Sequence, residues 1–174
     1  VIEKTKEGLK TYDNPIGVLT NSPTFSWHLT NLNEYMKTTP VQPENVKWGN
    51  KELRPLGVGM GTKGLPGGLS GVDRFVRIAY LKSKFSVSED LLSGISQFFH
   101  MLNNVAMPRG AVISEGSDDI TLYSSCMCQQ KGIYYYSTYN NNGVSAVDMN
   151  KEDLDGNEIK RFEYLDKLNI IYQN

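Results

Sequence analysis

An α+β chain built from antiparallel sheets with stacked helices is predicted by three observations on the 174-residue sequence. The apolar period is two near the start, becomes helical through the middle, and returns to two after Pro108. Turn chemistry separates the alternating stretches, with Asp13-Asn14-Pro15 and Asn140-Asn141-Asn142-Gly143 as its strongest marks. The resulting order, three strands, three helices and then three or more strands, suits helices layered on antiparallel sheet.

Val1 to Thr5 and Leu9 to Tyr12 read as strands joined at Lys6-Glu7-Gly8, and Ile16 to Leu19 reads as a short buried third strand. Asn21 stands where that strand meets the next helix; its amide can cap the helix or can face a ligand. Pro23 fits a first helical turn, where its missing N–H costs nothing. From Thr24 to Met36, Phe25, Leu29, Leu32 and Met36 recur at helical spacing, and His28 borders their stripe as a partnered packing residue or a ligand.

Residues 37 to 69 form a polar connection rich in Pro and Gly, long enough to suggest a functional loop. Its Gly59-x-Gly61-x-x-Gly64 spacing matches a dinucleotide fingerprint in form only, since no strand leads into it and no βαβ unit follows. Ser70 and Asp73 have capping-box spacing, so a helix begins there with Val72, Phe75, Val76 and Ala79 buried and Arg74 in its first turn. A further helix is expected from about Ser88 to Ala106, carrying Leu91, Ile95, Phe98, Leu102 and Val105 on one stripe with Leu92 and Phe99 beside it. Alternation then runs from Ile120 to Cys128, Gly132 to Tyr139 and Val144 to Met149, with further strands near Ile159 to Phe162 and Leu168 to Tyr172.

A hydrophobic content of 39% and a net charge of −1 fit one ordinary globular domain without electrostatic bias toward nucleic acid or anionic membrane. No apolar run reaches the roughly 18 residues that span a bilayer, and the first residues carry no signal-peptide pattern, so a cytoplasmic location is expected. The two cysteines, in Cys126-Met127-Cys128, are too few for a disulfide scaffold and suit a reducing compartment. On one strand face they permit a redox or metal role or burial as small apolar groups. Neither histidine, His28 or His100, has zinc-type spacing to them, and no metal or organic cofactor is expected. Tyr134-Tyr135-Tyr136 could stack on a ligand, yet suits a half-buried strand equally.

The run from Asp13 to Phe25, Gly64-Leu65-Pro66-Gly67, Arg74-Phe75-Val76-Arg77, Ser96 to His100, Tyr123 to Cys126, Lys131 to Tyr136 and Ala146 to Glu152 resembles the choloylglycine hydrolases in the same order. That family comprises conjugated bile salt hydrolases and penicillin V acylases. The resemblance implies an αββα N-terminal-nucleophile (Ntn) hydrolase fold, of which residues 1–174 form the C-terminal part of a single domain. It implies hydrolysis of linear, non-peptide amide C–N bonds, with a conjugated bile acid rather than penicillin V as substrate. The family nucleophile is an N-terminal cysteine activated by its own α-amine, a task for which Val1 lacks the atoms. It is therefore expected on a missing N-terminal segment, and this chain alone is expected to be inactive. The partners implied are that segment, the small-molecule amide substrate and copies of the same enzyme, a homotetramer.

Two positions take catalytic roles from the resemblance, Asn21 and Arg74. An amide beside the nucleophile can orient its amine or polarise the scissile carbonyl, and a fixed cation favours thiolate and oxyanion. The sequence departs from the family at Gly68, usually Asp; at Asp73, usually Ser; and at Ser26, usually Asp. Gly68 could loosen the loop that positions Arg74, and Asp73 puts a negative charge near it. These departures leave open a non-catalytic, amide-binding member of the fold.

Overall fold

Strand β1 (Ile2–Thr5) turns through Lys6-Glu7 into β2 (Gly8–Thr11), an antiparallel pair in the register Ile2 to Thr11 and Thr5 to Gly8. The computed structural model describes residues 1–86 and 89–174, which cluster into two compact units, Val1–Val87 and Ser88–Asn174.

In the first unit the expected third strand, Ile16 to Leu19, does not form. Asn14 holds this backbone instead: its Oδ1 accepts from the Gly17 N–H at 2.7 Å and its Nδ2 donates to the Val18 carbonyl at 3.1 Å. Gly17, at φ 66°, breaks the extended run. Val18 is still buried, as its apolar character requires.

Helix α1 (Phe25–Asn31) is shorter than the expected Thr24 to Met36, because residues Leu32–Tyr35 tighten into a 3₁₀ turn and Met36 is exposed. Pro23 lies before the N-cap Thr24 rather than in the first turn. Thr24 makes no side-chain cap; Glu3 of β1 takes that role, its Oε1 accepting from the Phe25 N–H at 2.7 Å. Within 37–69, the stretch read as a long polar connection, lies a hairpin, β3 (Val46–Trp48) and β4 (Lys51–Leu53), closed by Gly49-Asn50. Gly49 at φ 58° supplies the positive φ that such a two-residue turn needs.

Helix α2 (Gly71–Ser83) begins where the capping box predicts, with Ser70 Oγ accepting from the Asp73 N–H at 3.1 Å. Phe75, Val76 and Ala79 are buried as expected, Val72 only partly, and Arg77 joins them. The core packs Val18, Phe25, Phe75 and Ala79 together, with the Phe25 and Phe75 rings edge to face at 6.4 Å.

In the second unit α3 (Leu91–Asn103) starts at Asp90, whose carboxylate accepts from the Ser93 N–H at 2.8 Å. The expected start near Ser88 lies outside the described residues. Its buried face is centred on Ile95 and Phe99, whereas Leu91 and Leu92 are exposed. A small hairpin, β5 (Ile113–Ser114) and β6 (Ser117–Asp118), precedes a three-stranded antiparallel sheet of β7 (Tyr123–Cys128), β8 (Ile133–Thr138) and β9 (Ser145–Asp148), in that order. Ile120 and Leu122 fall before β7, not in it. The register pairs Cys126 with Tyr135 and Cys128 with Ile133, so these four share the face that packs on Ile95 and Phe99.

The strands expected near Ile159 to Phe162 and Leu168 to Tyr172 are irregular backbone. Alternation makes a strand only where a ladder partner exists. Here side chains hold the tail instead: Asn141 Nδ2 donates to the Leu165 carbonyl at 3.3 Å and Asn140 Nδ2 to Asp166 Oδ2 at 2.6 Å. Helices and antiparallel sheet in each unit give the α+β class expected from sequence. Among the described residues no helix is long and apolar enough to cross a membrane.

Candidate active site

Asn21 and Arg74, 53 residues apart in sequence, meet in the first unit: Arg74 Nη2 donates to Asn21 Oδ1 at 2.7 Å. Each is positioned from its own side. Arg74 sits one turn into α2, and its Nε donates to the Leu69 carbonyl at 3.0 Å, so the loop before the helix aims the guanidinium. Asn21 is held through its main chain, since Thr20 Oγ1 donates to the Gly71 carbonyl at 3.0 Å and His28 Nε2 bonds the Asn21 carbonyl at 2.9 Å. Gly71 permits this approach: a Cβ there would stand 2.9 Å from the Ser22 carbonyl oxygen and 3.4 Å from Asn21 Cβ.

The pairing decides which way the Asn21 amide faces. A guanidinium only donates, so Oδ1 must be the atom against Arg74 and Nδ2 is left as the amide's outward donor. Among the described residues no hydrogen bond uses Nδ2, and Asn21 is exposed. Asn21 therefore does not cap α1. It presents an N–H₂ donor beside a fixed positive charge, an arrangement suited to stabilising negative charge on a carbonyl oxygen.

Two of the three sequence departures, Gly68 and Asp73, take on structural sense. The Asp73 carboxylate is engaged by Ser70, whose Oγ donates to Asp73 Oδ2 at 2.9 Å, and among the described residues it forms no ion pair with Arg74. A Cβ on residue 68 would fall well inside contact distance of Asp73 Oδ2. Gly68 and Asp73 are thus a matched pair: the carboxylate at 73 occupies the space that a side chain at 68 would need. The loop is not loosened by Gly68, because buried Arg77 clamps it, Nη1 donating to the carbonyls of Pro66 at 2.7 Å and Gly68 at 2.9 Å. Ser26 is an exposed residue of α1 whose hydroxyl lies 3.3 Å from Thr24 Oγ1.

Arg77 was legible in sequence only as part of a motif; nothing in the spacing announced that an arginine three residues after Arg74 would be buried. In the second unit, Cys126 and Cys128 are unbridged and pack against the α3 core as small apolar groups, and burial pushes the Cys126 thiol up, away from nucleophilic thiolate. Tyr135 lies buried on that face, while Tyr134 and Tyr136 stack at 6.0 Å on the other, as sheet residues do.

The chain is similar to several known proteins. The family model for "Linear amide C-N hydrolases, choloylglycine hydrolase family" matches residues 1–162. The bile salt hydrolase/transferase of Clostridium perfringens is 50% identical over 100% of this chain and 53% of its own length. The corresponding protein of Lactiplantibacillus plantarum is 46% identical over 91% of the chain and 49% of its own length. A crystal structure of a mutant conjugated bile acid hydrolase from C. perfringens superposes with a TM-score of 0.90 at 49% identity, over 99% of this chain and 53% of that one. A penicillin V acylase from Agrobacterium tumefaciens, at 24% identity and a TM-score of 0.62 over 86% of this chain and 41% of that one, shares the fold. The chain spans about half the length of the curated relatives it matches. The motifs that resemble the family, a family model running almost end to end, and half-identical relatives along the whole sequence place this protein in the choloylglycine hydrolase family.

Proposed function

We propose that the chain is the C-terminal part of an Ntn-hydrolase domain that deconjugates glycine- or taurine-linked bile salts, with its cysteine nucleophile on a preceding N-terminal segment. The observation that carries this reading is the Asn21–Arg74 pair, with the amide turned so that Nδ2 is its available donor. The N-terminal thiolate attacks the amide carbonyl, and its own α-amine takes and returns the proton. The carbonyl oxygen, now negative, accepts from Asn21 Nδ2 beside the Arg74 charge. The carbon–nitrogen bond breaks, glycine or taurine leaves with the proton, and water releases the bile acid from the thioester. Neither Asn21 nor Arg74 gains or loses a proton in these steps.

The identity to bile salt hydrolases supports the substrate class over penicillin V, since the acylase likeness extends to fold alone. A cytoplasmic, homo-oligomeric enzyme is part of the same proposal. The experiment is glycine release from glycocholate by the complete protein, with and without Asn21→Ala. Loss of about 10²-fold or more in kcat with the fold intact is expected, as for removal of an oxyanion donor. Turnover within a few-fold of the parent would overturn the Asn21 role. The chain expressed without the N-terminal segment is expected to release no glycine.

A further inference from the structure

His28 is the most buried polar side chain of the first unit, 1% exposed, and geometry fixes which ring nitrogen carries its hydrogen bond. The Asn21 carbonyl, 2.9 Å from Nε2, can only accept, so Nε2 carries the hydrogen. Thr20 Oγ1, 3.4 Å from the same nitrogen, spends its own hydrogen on the Gly71 carbonyl and receives at most a second, weaker branch. Nδ1 is then the bare nitrogen, and it is buried with no partner among the described residues. Packing fixes the ring itself: its face stacks on Phe75 at 4.4 Å and 19°, and Trp27 meets it edge-on at 5.8 Å.

These contacts have a particular destination. Phe75 is the residue after Arg74 and is wholly buried in the core. One rigid ring therefore grips the main chain of Asn21 with a hydrogen bond and the helix segment of Arg74 with its face. We infer that His28 is a positioning residue of the candidate active site, which through its Nε2–H sets the Asn21 carbonyl, and with it the direction in which the Asn21 amide meets Arg74 and substrate. A misplacement of about 1 Å in such a group is enough to cost on the order of 10²-fold in rate.

The inference rests on the reading of Asn21 and Arg74 as catalytic, and the test separates the two. In the complete enzyme, His28→Phe keeps the stack on Phe75 and removes the donor. His28→Gln restores a donor near the Nε2 position, and His28→Asn places its amide near the Nδ1 position instead. With glycocholate as substrate, His28→Phe and His28→Asn are expected to lower kcat about 10- to 100-fold with little change in KM, while His28→Gln recovers to within about threefold. Because His28 acts through Asn21, its substitution should have almost no further effect in an Asn21→Ala background, a non-additivity that a purely structural role would not produce. Equal turnover of the Phe, Asn and Gln variants and the parent, or full additivity with Asn21→Ala, overturns the inference. If Asn21→Ala itself is harmless, the catalytic reading fails and this one with it; if only the His28 variants are harmless, this one fails alone. Should His28→Phe not fold, long-range proton–nitrogen NMR on the parent enzyme decides: hydrogen on Nε2 and a bare Nδ1 are expected, and the opposite tautomer excludes the role.

Discussion

Adding one methyl group at Gly68 should destabilise the protein while the carboxylate of Asp73 is present, and should cost little once it is gone. Gly68 does not have a positive φ, so alanine there meets no backbone objection; it also stiffens the unfolded chain, a gain of about 0.4–1 kcal/mol that cancels in a double-mutant cycle and leaves the effect of space. The new Cβ would collide with Asp73 Oδ2 and would lie 3.0 Å from Asp73 Cγ, yet 3.6 Å from Asp73 Cβ, which is ordinary contact. Either the carboxylate gives way, losing the Ser70 hydroxyl at 2.9 Å, or the loop does, straining the 2.7 and 2.9 Å bonds from Arg77. A hydrogen bond to a charged group contributes about 1.5–3 kcal/mol, and overpacking costs about 1–3 kcal/mol; for a partly exposed loop the lower end, about 1–2 kcal/mol, is expected. The assay is urea unfolding of the complete protein in a double-mutant cycle of Gly68→Ala and Asp73→Ala. A favourable coupling of about 1–2 kcal/mol in the double variant is expected. Strict additivity would refute the idea that 68 and 73 are matched.

Three further outcomes follow from the same geometry. Arg74→Lys keeps the charge but loses the fork that spans Leu69 and Asn21, so it should retain partial turnover, whereas Arg74→Gln should lose more and should raise the apparent pKa of the N-terminal thiol in iodoacetamide titrations; normal hydrolysis and an unchanged titration for Arg74→Gln would remove it from the site. Phe75→Ala, which empties a fully buried site under His28 and Phe25, should cost about 3–5 kcal/mol in denaturant unfolding, and a cost below about 1 kcal/mol would contradict the packing described. The Thr138 hydroxyl first, and Asn140 after it, hold the Asp166 carboxyl below its ordinary value. A depressed carboxyl stabilises the folded state above its unfolded value, so tail docking should be constant above about pH 4 and should weaken as pH falls through the folded value. Exchange of the Asn140 N–H relative to its unfolded rate reports this, and Asp166→Asn should abolish the acid step; an identical step in that variant would assign it to another group.

The α+β class, the start of α2 at Ser70 and the existence of α3 and of strands β7, β8 and β9 were legible in sequence, because capping residues, apolar period and turn residues act over a few positions and report locally. Asn21 and Arg74 were also named from sequence, through the motifs around them. Tertiary structure alone decided what these residues touch. Ile16 to Leu19 has the apolar content of a strand, but the Asn14 side chain and the Gly17 φ took its backbone elsewhere. The tail near Ile159 and Leu168 likewise alternates without a ladder, since strand formation needs a partner that a linear pattern does not specify. The flip of the Asn21 amide, the burial of Arg77, the exclusion of a side chain at 68 by Asp73 and the grip of His28 on both halves of the site all depend on contacts between residues far apart in the chain. Hydrogen-bond direction and contact distance exist only once those residues are brought together, and no period or spacing in the sequence encodes them.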